Sequence, residues 1–357
     1  MRKRSVQKGD ENDEPFVHSK QKKNSTKSKR IFLQVIFLAL FILYIVIPVS
    51  VYLCPSVRRH AVFLNYVSLS RATNLSVPSE SGLKCARNFY ISSDKGVKLG
   101  VWHVPPASMH SRCKENTISP DIEFSDQRPV FLYLHGNAGD RAGGHRVSLY
   151  KVLSEEIDAH VVAFDYRGFG DSTNVSPTEA GLVEDTTVVY DWLLKRVKSS
   201  NIFVWGHSLG TGVGTAFLEK VSKSANKPTA LILEAPFTRI VEAAKHHPLS
   251  IFHRYMPFFD VLIAKPIGDE DTGFDSLSRI PHISRPLLIL HAEDDGFVPY
   301  NHGKILYESA LATRKELPSH FTKFVGFDGE LDLGHKNIYK SPDLPNIIKN
   351  FLKDVQS

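Results

Sequence analysis

Asn201-Ile202-Phe203-Val204-Trp205-Gly206-His207-Ser208-Leu209-Gly210-Thr211-Gly212 is the stretch on which the reading of this chain turns. Residues 202–205 are apolar and bounded by polar ones, which predicts a short buried strand. The small residues after Leu209 predict the first turns of a helix. Between the two lies G-x-S-x-G, the pattern of a sharp strand–turn–helix elbow that exposes a serine hydroxyl. A side chain at Gly206 or Gly210 would crowd the turn that lifts Ser208 above a sheet. The bare pattern occurs by chance in many chains. Its weight therefore rests on the strand and helix around it and on partners for the serine.

Working outward, strand-like and helix-like segments alternate. Residues 87–92 and 97–104 read as a hairpin about Asp94-Lys95-Gly96, and 110–128 as a polar surface insertion. Buried strands follow at 129–134, 161–164, 230–233, 286–290 and 323–327, with helices at 145–157, 177–197, 303–311 and 343–355. Such repetition predicts an α/β fold, a mostly parallel central sheet with helices on both faces. Ligands of such sheets bind beyond the carboxyl ends of the strands, so the residues after each strand carry the chemistry.

A serine hydroxyl needs a positioned base, usually a histidine held by a carboxylate. After strand 286–290 come Glu293, Asp294 and Asp295. Asp295, in a D-x-x-V-P turn, is the predicted acid, with Asp294 as runner-up and better suited to bonding turn amides. The loop after 323–327 holds one histidine, His335, the predicted base. His302 begins a helix beside Asp295, and His320 precedes the strand. The loop His135-Gly136-Asn137-Ala138-Gly139 follows the first long core strand. It supplies an oxyanion donor, the backbone N–H of Asn137, to complement that of Leu209. The Asn137 side chain is read as stabilising its turn. This loop matches no nucleotide-binding glycine pattern, and with no C-x-x-C, H-E-x-x-H or EF-hand pattern the reading assigns neither cofactor nor metal.

The net charge of +6 resides entirely in residues 1–30, which hold ten Lys/Arg and four Asp/Glu; the remaining chain has 34 of each sign. A nucleic-acid partner for the folded part is thereby disfavoured. Residues 31–54 carry no charge and only Gln34 and Ser50 as strongly polar residues, long enough for a transmembrane signal anchor and too long for a cleaved signal peptide. Lys20, Lys22, Lys23, Lys27, Lys29 and Arg30 precede it, against Arg58, Arg59 and Arg71 beyond. This places 1–30 in the cytosol as a basic tail. The rest is lumenal or extracellular, with 55–84 a juxtamembrane linker and 85–357 the catalytic domain. The sequons at Asn74 and Asn174 would then be glycosylated, while that at Asn24 would stay bare. Cys85 and Cys113 are open between a lumenal disulfide and two buried thiols, and Cys54 reads as apolar packing rather than an acylation site.

The runs YLHGNAG, FDYRGFGDS, WGHSLGTGVG, LILEAPFT, LLILHAEDD and HKNIYKSP, in this order, resemble the α/β-hydrolase superfamily. More narrowly, they resemble its membrane-anchored lysophosphatidylserine and monoacylglycerol lipases, from the span to nearly the last residue. The resemblance implies an α/β-hydrolase fold with a lid inserted after strand 6, about residues 238–284, preceded by one N-terminal transmembrane helix. It implies a serine hydrolase acting on lysophosphatidylserine and related lysophospholipids, and on monoacylglycerol, at the endoplasmic reticulum. Its partners would be lipid substrate and bilayer. It carries the nucleophile onto Ser208, the acid onto Asp295 and the base onto His335. The chain departs from the family in a lysine-rich tail, in residues 267–278 and at Gly334, where a bulkier residue is expected. Aromatic and aliphatic residues at 247–259 suit an acyl-chain cover, and Arg239, Lys245 and Arg254 are candidates for an anionic headgroup. The competing readings are a peptidase or thioesterase on this fold, or a non-catalytic binding protein, which would need a broken triad.

Overall fold

The computed structural model describes residues 16–67, 74–114, 117–120 and 123–356. Residues 1–15 of the basic tail and Arg71 lie outside the described residues. The chain divides into two compact units, 1–50 and 51–357. A helix over Phe16–Phe41 passes through a π-helical turn at Ile42–Val46 into a second helix, Ile47–Leu53, whose last residues belong to the second unit. Within this run Lys27–Leu53 is long and apolar enough to cross a membrane, about 40 Å at 1.5 Å per residue.

The second unit is built on eight strands: β1 Arg87–Ser92, β2 Lys98–Val104, β3 Val130–Leu134, β4 His160–Phe164, β5 Ile202–His207, β6 Ala230–Glu234, β7 Leu287–Ala292 and β8 Thr322–Phe327. They pair in the order β1-β2-β4-β3-β5-β6-β7-β8. β2 runs antiparallel to both of its neighbours, and every other pairing is parallel. The strands are apolar almost throughout because both faces are covered. Val130, Leu132, Leu134, Ile202 and Val204 join one core with the helices Glu179–Leu194, Leu209–Lys220 and Asn301–Thr313. Phe131, Tyr133, Phe203 and Trp205 join the other with the helices Gly144–Lys151 and Leu344–Gln356. The alternation is the period-two geometry of a strand, read out onto two helix layers. The hairpin turns at Gly96, with φ +76°, as its sequence predicts.

Two stretches differ from the sequence reading. Residues 55–84, expected as a linker, fold in part with the catalytic unit. The helix Pro55–Val62 ends at Phe63, which is fully buried edge-on against Phe274, and Arg58 and Arg59 pair with Asp269 and Asp271. A large aromatic and two cations facing carboxylates draw this segment onto the body. The insertion 110–128 likewise buries Ile118, Glu123 and Phe124, and Cys113 forms a disulfide with Cys85. Polar composition around them concealed these anchors.

Between β6 and β7, the segment expected to form a lid breaks into short helices, Ile240–His246 and Ser276–Arg279 among them. Ile251, Phe252, Tyr255 and Phe258 are exposed within it.

Candidate active site

β5 is buried along its whole length and delivers Ser208 at φ +51°, ψ −116°, a strained conformation from which the helix Leu209–Lys220 departs. The flanking glycines are obligatory. A Cβ at Gly206 would lie 2.3 Å from the Gly210 carbonyl oxygen, and one at Gly210 only 2.0 Å from that of Leu134. Backbone cannot retreat from such contacts. The Ser208 N–H donates to the Glu234 carbonyl at 3.0 Å, and Thr211 N–H and Oγ1 donate to the Ser208 carbonyl.

The loop after β8 brings His335 over the serine. Its Nε2 stands 2.8 Å from Ser208 Oγ, and its Nδ1 2.7 Å from Asp295 Oδ2. Serine, histidine and carboxylate thus form one hydrogen-bonded run from three strand ends, 40 and 127 residues apart in sequence. Asp295 Oδ1 accepts from the backbone N–H groups of Phe297 (2.8 Å) and Val298 (2.9 Å). Burial pushes the Asp295 carboxyl up, but hydrogen bonds from His291 and His335 and the Val298 amide outweigh it and hold the group far below the usual carboxylate range. It is therefore ionised, as a group that orients an imidazole must be.

Asp294 faces elsewhere and accepts from the Gly334 N–H at 2.8 Å. Adjacent carboxylates divide the work: one holds the backbone before the histidine, the other its ring. Gly334 has φ +52°, a left-handed conformation that explains a glycine where a bulkier residue is expected.

Two further histidines brace the site. His291, at the end of β7, approaches Asp295 Oδ2 at 3.2 Å and the Val298 carbonyl at 3.0 Å. His207 Nε2 donates to the His335 carbonyl at 2.9 Å. Burial keeps His207 well below the usual imidazole range, so it is neutral, with its proton on Nε2. Both stand inside the quoted motifs, beside the predicted residues. Nothing in sequence separates them from strand-end packing.

The loop 135–139 lies against the serine. A Cβ at Gly136 would come within 2.8 Å of His207 Nδ1 and 3.2 Å of Ser208 Cβ. Neither Asn137 nor Leu209 N–H donates to a protein acceptor among the described residues, as two oxyanion donors require. The Asn137 side chain is spent on structure: Oδ1 accepts from Leu64 and Ala138 N–H at 3.0 Å, and Nδ2 donates to the Val62 carbonyl. The largest addition to the sequence reading is Arg146. It is 2% exposed, and its guanidinium donates to the carbonyls of Gly136 (2.9 Å), Ala138 (2.8 Å) and Asp140. Gathering those oxygens to one side turns the intervening N–H groups to the other. The FDYRGFGDS run serves the same loop, since Asp165 and Asp171 hold the buried Arg141.

The exposed Phe297 ring lies 5.3 Å from that of His335 and 5.6 Å from that of His247, in the segment expected to form a lid. Of the headgroup candidates, Arg239 pairs with Asp275 and Lys245 with Glu242 and Asp260, whereas Arg254 lies over the Tyr255 ring. Asn74 and Asn174 are exposed.

A family model described as the alpha/beta hydrolase fold matches residues 129–246. Lysophosphatidylserine lipase ABHD12 of Danio rerio is 46% identical over 312 residues, 87% of this chain and 81% of that protein. Its Gallus gallus counterpart is 44% identical over 311 residues, with the same coverage, and protein ABHD12B of Homo sapiens 36% identical over 292 residues, 82% of this chain and 79% of that one. Among solved structures, the Pyrococcus furiosus esterase Pf2001 aligns with a TM-score of 0.57 at 17% identity, covering 81% of this chain and 97% of the esterase. An α/β-hydrolase of Vibrio vulnificus aligns with the same TM-score at 15% identity, covering 86% and 91%.

Proposed function

This chain belongs to the α/β-hydrolase family and, within it, to the relatives of the lysophosphatidylserine lipases. On that footing we propose that it is a membrane-anchored serine hydrolase cleaving the acyl ester of lysophosphatidylserine and related lysophospholipids, with monoacylglycerol as a second substrate. The observation that carries the reading is the run Ser208–His335–Asp295, with 2.8 and 2.7 Å between successive partners.

In this reading Ser208 Oγ attacks the acyl carbonyl as its proton passes to His335 Nε2. Asp295 keeps the imidazole in the tautomer with Nδ1 protonated and stabilises the imidazolium. The N–H groups of Asn137 and Leu209 receive the oxyanion. Collapse expels the glycerol oxygen, which takes the proton from His335 and leaves an acyl-enzyme on Ser208. His335 then takes a proton from water, whose oxygen attacks the acyl carbon, and returns it to Ser208 as the fatty acid leaves. The helix Lys27–Leu53 would hold this site beside the bilayer that stores the substrates. The lysine-rich flank, the exposed sequons at Asn74 and Asn174 and the Cys85–Cys113 disulfide support a type II orientation with the catalytic unit in the lumen of the endoplasmic reticulum.

Wild type and Ser208→Ala in membranes, treated with a fluorophosphonate probe and a panel of lysolipids, test the proposal. Labelling and lysophosphatidylserine turnover in wild type alone are expected. Labelling without lysolipid turnover would refute the substrate, and neither would refute the enzyme. Glycan on Asn24 rather than on Asn74 or Asn174 would reverse the topology.

A further inference from the structure

The residue after the predicted base is a cation with no carboxylate partner among the described residues. Lys336 is half-buried, and its Nζ stands 5.6 Å from the centre of the Phe297 ring, the same ring that lies 5.3 Å from His335. No carboxylate reaches this ammonium within ion-pair distance among the described residues. Of the two aspartates bonded to this loop, Asp295 takes His335, His291 and two amides, while Asp294 takes Gly334 N–H through Oδ2 and has no partner for its buried Oδ1 among the described residues. Burial and the nearby Arg146 guanidinium both lower the affinity of Lys336 for its proton. His145 belongs to the same corner. Its ring is 5.5 Å from that of His207, and its buried Nε2 has no hydrogen-bond partner among the described residues. Burial, Arg146 and Lys336 press His145 down to about 3, so it is a neutral imidazole with an idle polar atom.

A half-buried ammonium without an ion-pair partner and an unpartnered imidazole nitrogen, set one ring away from His335 and His207, are the complement of an anion. A glycerophospholipid with one acyl chain carries its phosphate on the same three-carbon glycerol as the scissile ester. An ester carbonyl at Ser208 therefore brings that phosphate close by. The two cations of the expected lid segment with carboxylate partners, Arg239 and Lys245, would first have to break those pairs. We propose that Lys336, with His145 beside it, is the anion site that receives the phosphodiester of a lysophospholipid headgroup and so selects it over a neutral glycerol ester. This rests on the lysolipid reading above and adds the residue that reads the headgroup.

The alternative role of Lys336 is purely structural, its methylene stem and charge covering Phe297. Lys336→Met keeps the apolar stem and removes the charge, while Lys336→Arg keeps the charge. The full chain, reconstituted in phosphatidylcholine vesicles, is assayed on lysophosphatidylserine and on p-nitrophenyl butyrate. An ether-linked lysolipid with a phosphoserine headgroup, which cannot be hydrolysed, is titrated as competitor against the butyrate. The loss in kcat/KM of Lys336→Met on lysophosphatidylserine should exceed its loss on the butyrate by about ten- to a hundredfold, chiefly through KM, the worth of a hydrogen bond to a charged group. The inhibition constant of the competitor should rise by a similar factor, and Lys336→Arg should recover most of both. Equal losses on the two esters, or an unchanged inhibition constant, would overturn the proposal. If wild type hydrolyses the butyrate but not lysophosphatidylserine, the substrate reading fails separately, and the competitor titration still decides whether Lys336 binds the anion.

Discussion

Replacing Asp295 by asparagine keeps the shape of the acid and inverts one end of its hydrogen bonding. In the wild type, Oδ1 accepts two backbone amides, Phe297 and Val298 at 2.8 and 2.9 Å, and Oδ2 accepts His335 Nδ1–H at 2.7 Å. An asparagine has one oxygen for these two demands. The amides are fixed donors, whereas His335 can change tautomer and His291 can donate to the Val298 carbonyl instead, so the oxygen stays with the amides and the NH₂ turns to His335. His335 then accepts at Nδ1 and carries its proton on Nε2, where it faces Ser208 and can no longer take the hydroxyl proton. The wrong tautomer in a serine–histidine–aspartate triad costs about 10⁴ in kcat, close to 5 kcal/mol of transition-state stabilisation. Since the turn amides remain satisfied, the thermal midpoint should move little. Asp294→Asn is the control: an asparagine oxygen still accepts Gly334 N–H, and kcat should stay within about tenfold. Initial rates on a neutral short-chain ester, fluorophosphonate labelling rates and thermal midpoints measure all three quantities. If Asp295→Asn kept more than about a tenth of kcat, or Asp294→Asn fell as far, the assignment of the acid would be refuted.

Arg146→Met removes the donor that gathers the Gly136, Ala138 and Asp140 carbonyls; kcat should fall about 10²-fold, the worth of one misaligned oxyanion donor, with KM nearly unchanged. A fall in KM-limited rates alone would argue against the positioning role. Replacing both Cys85 and Cys113 by serine opens a loop of 28 residues' separation and should cost about 3–4 kcal/mol in a denaturant titration; a cost below about 1 kcal/mol would show that Ile118 and Phe124 hold the segment unaided. Burial raises the Glu234 carboxyl from 4.5 to about 7 against a hydrogen bond donated by Trp205. The folded chain then binds the proton more tightly than the unfolded one, so this group's contribution is complete below about pH 4.5 and is lost as pH rises to about 7, amounting to about 3 kcal/mol. Glu234→Gln should flatten the stability profile across that window, and an unaltered slope would place the titration elsewhere.

Much of the sheet was legible because a buried parallel strand leaves a strong local trace: 202–205 and 286–290 are continuous apolar runs between polar residues. The serine elbow was legible for a related reason, since its two glycines are required by backbone contacts of 2.3 and 2.0 Å that no other residue could survive. Phe63 and Ile118 were not legible. Each is a single apolar residue in a polar surround, and only the body it docks against shows that it is buried. The same holds for His291, His207 and Arg146, whose partners are carbonyls or a carboxylate brought near by the fold.

By itself, then, the sequence determined the order of strands and helices, the apolar span, the serine at its turn, and a candidate acid and base after later strands. These depend on local periodicity, local sterics and chain order. The tertiary structure decided which of two adjacent aspartates meets the imidazole ring, why Gly334 precedes it, and which buried arginine aims the loop opposite the serine. It also left Lys336 as a cation without a carboxylate partner among the described residues. Such outcomes depend on distances and charges between residues far apart in the chain, and these exist only once the strands have paired.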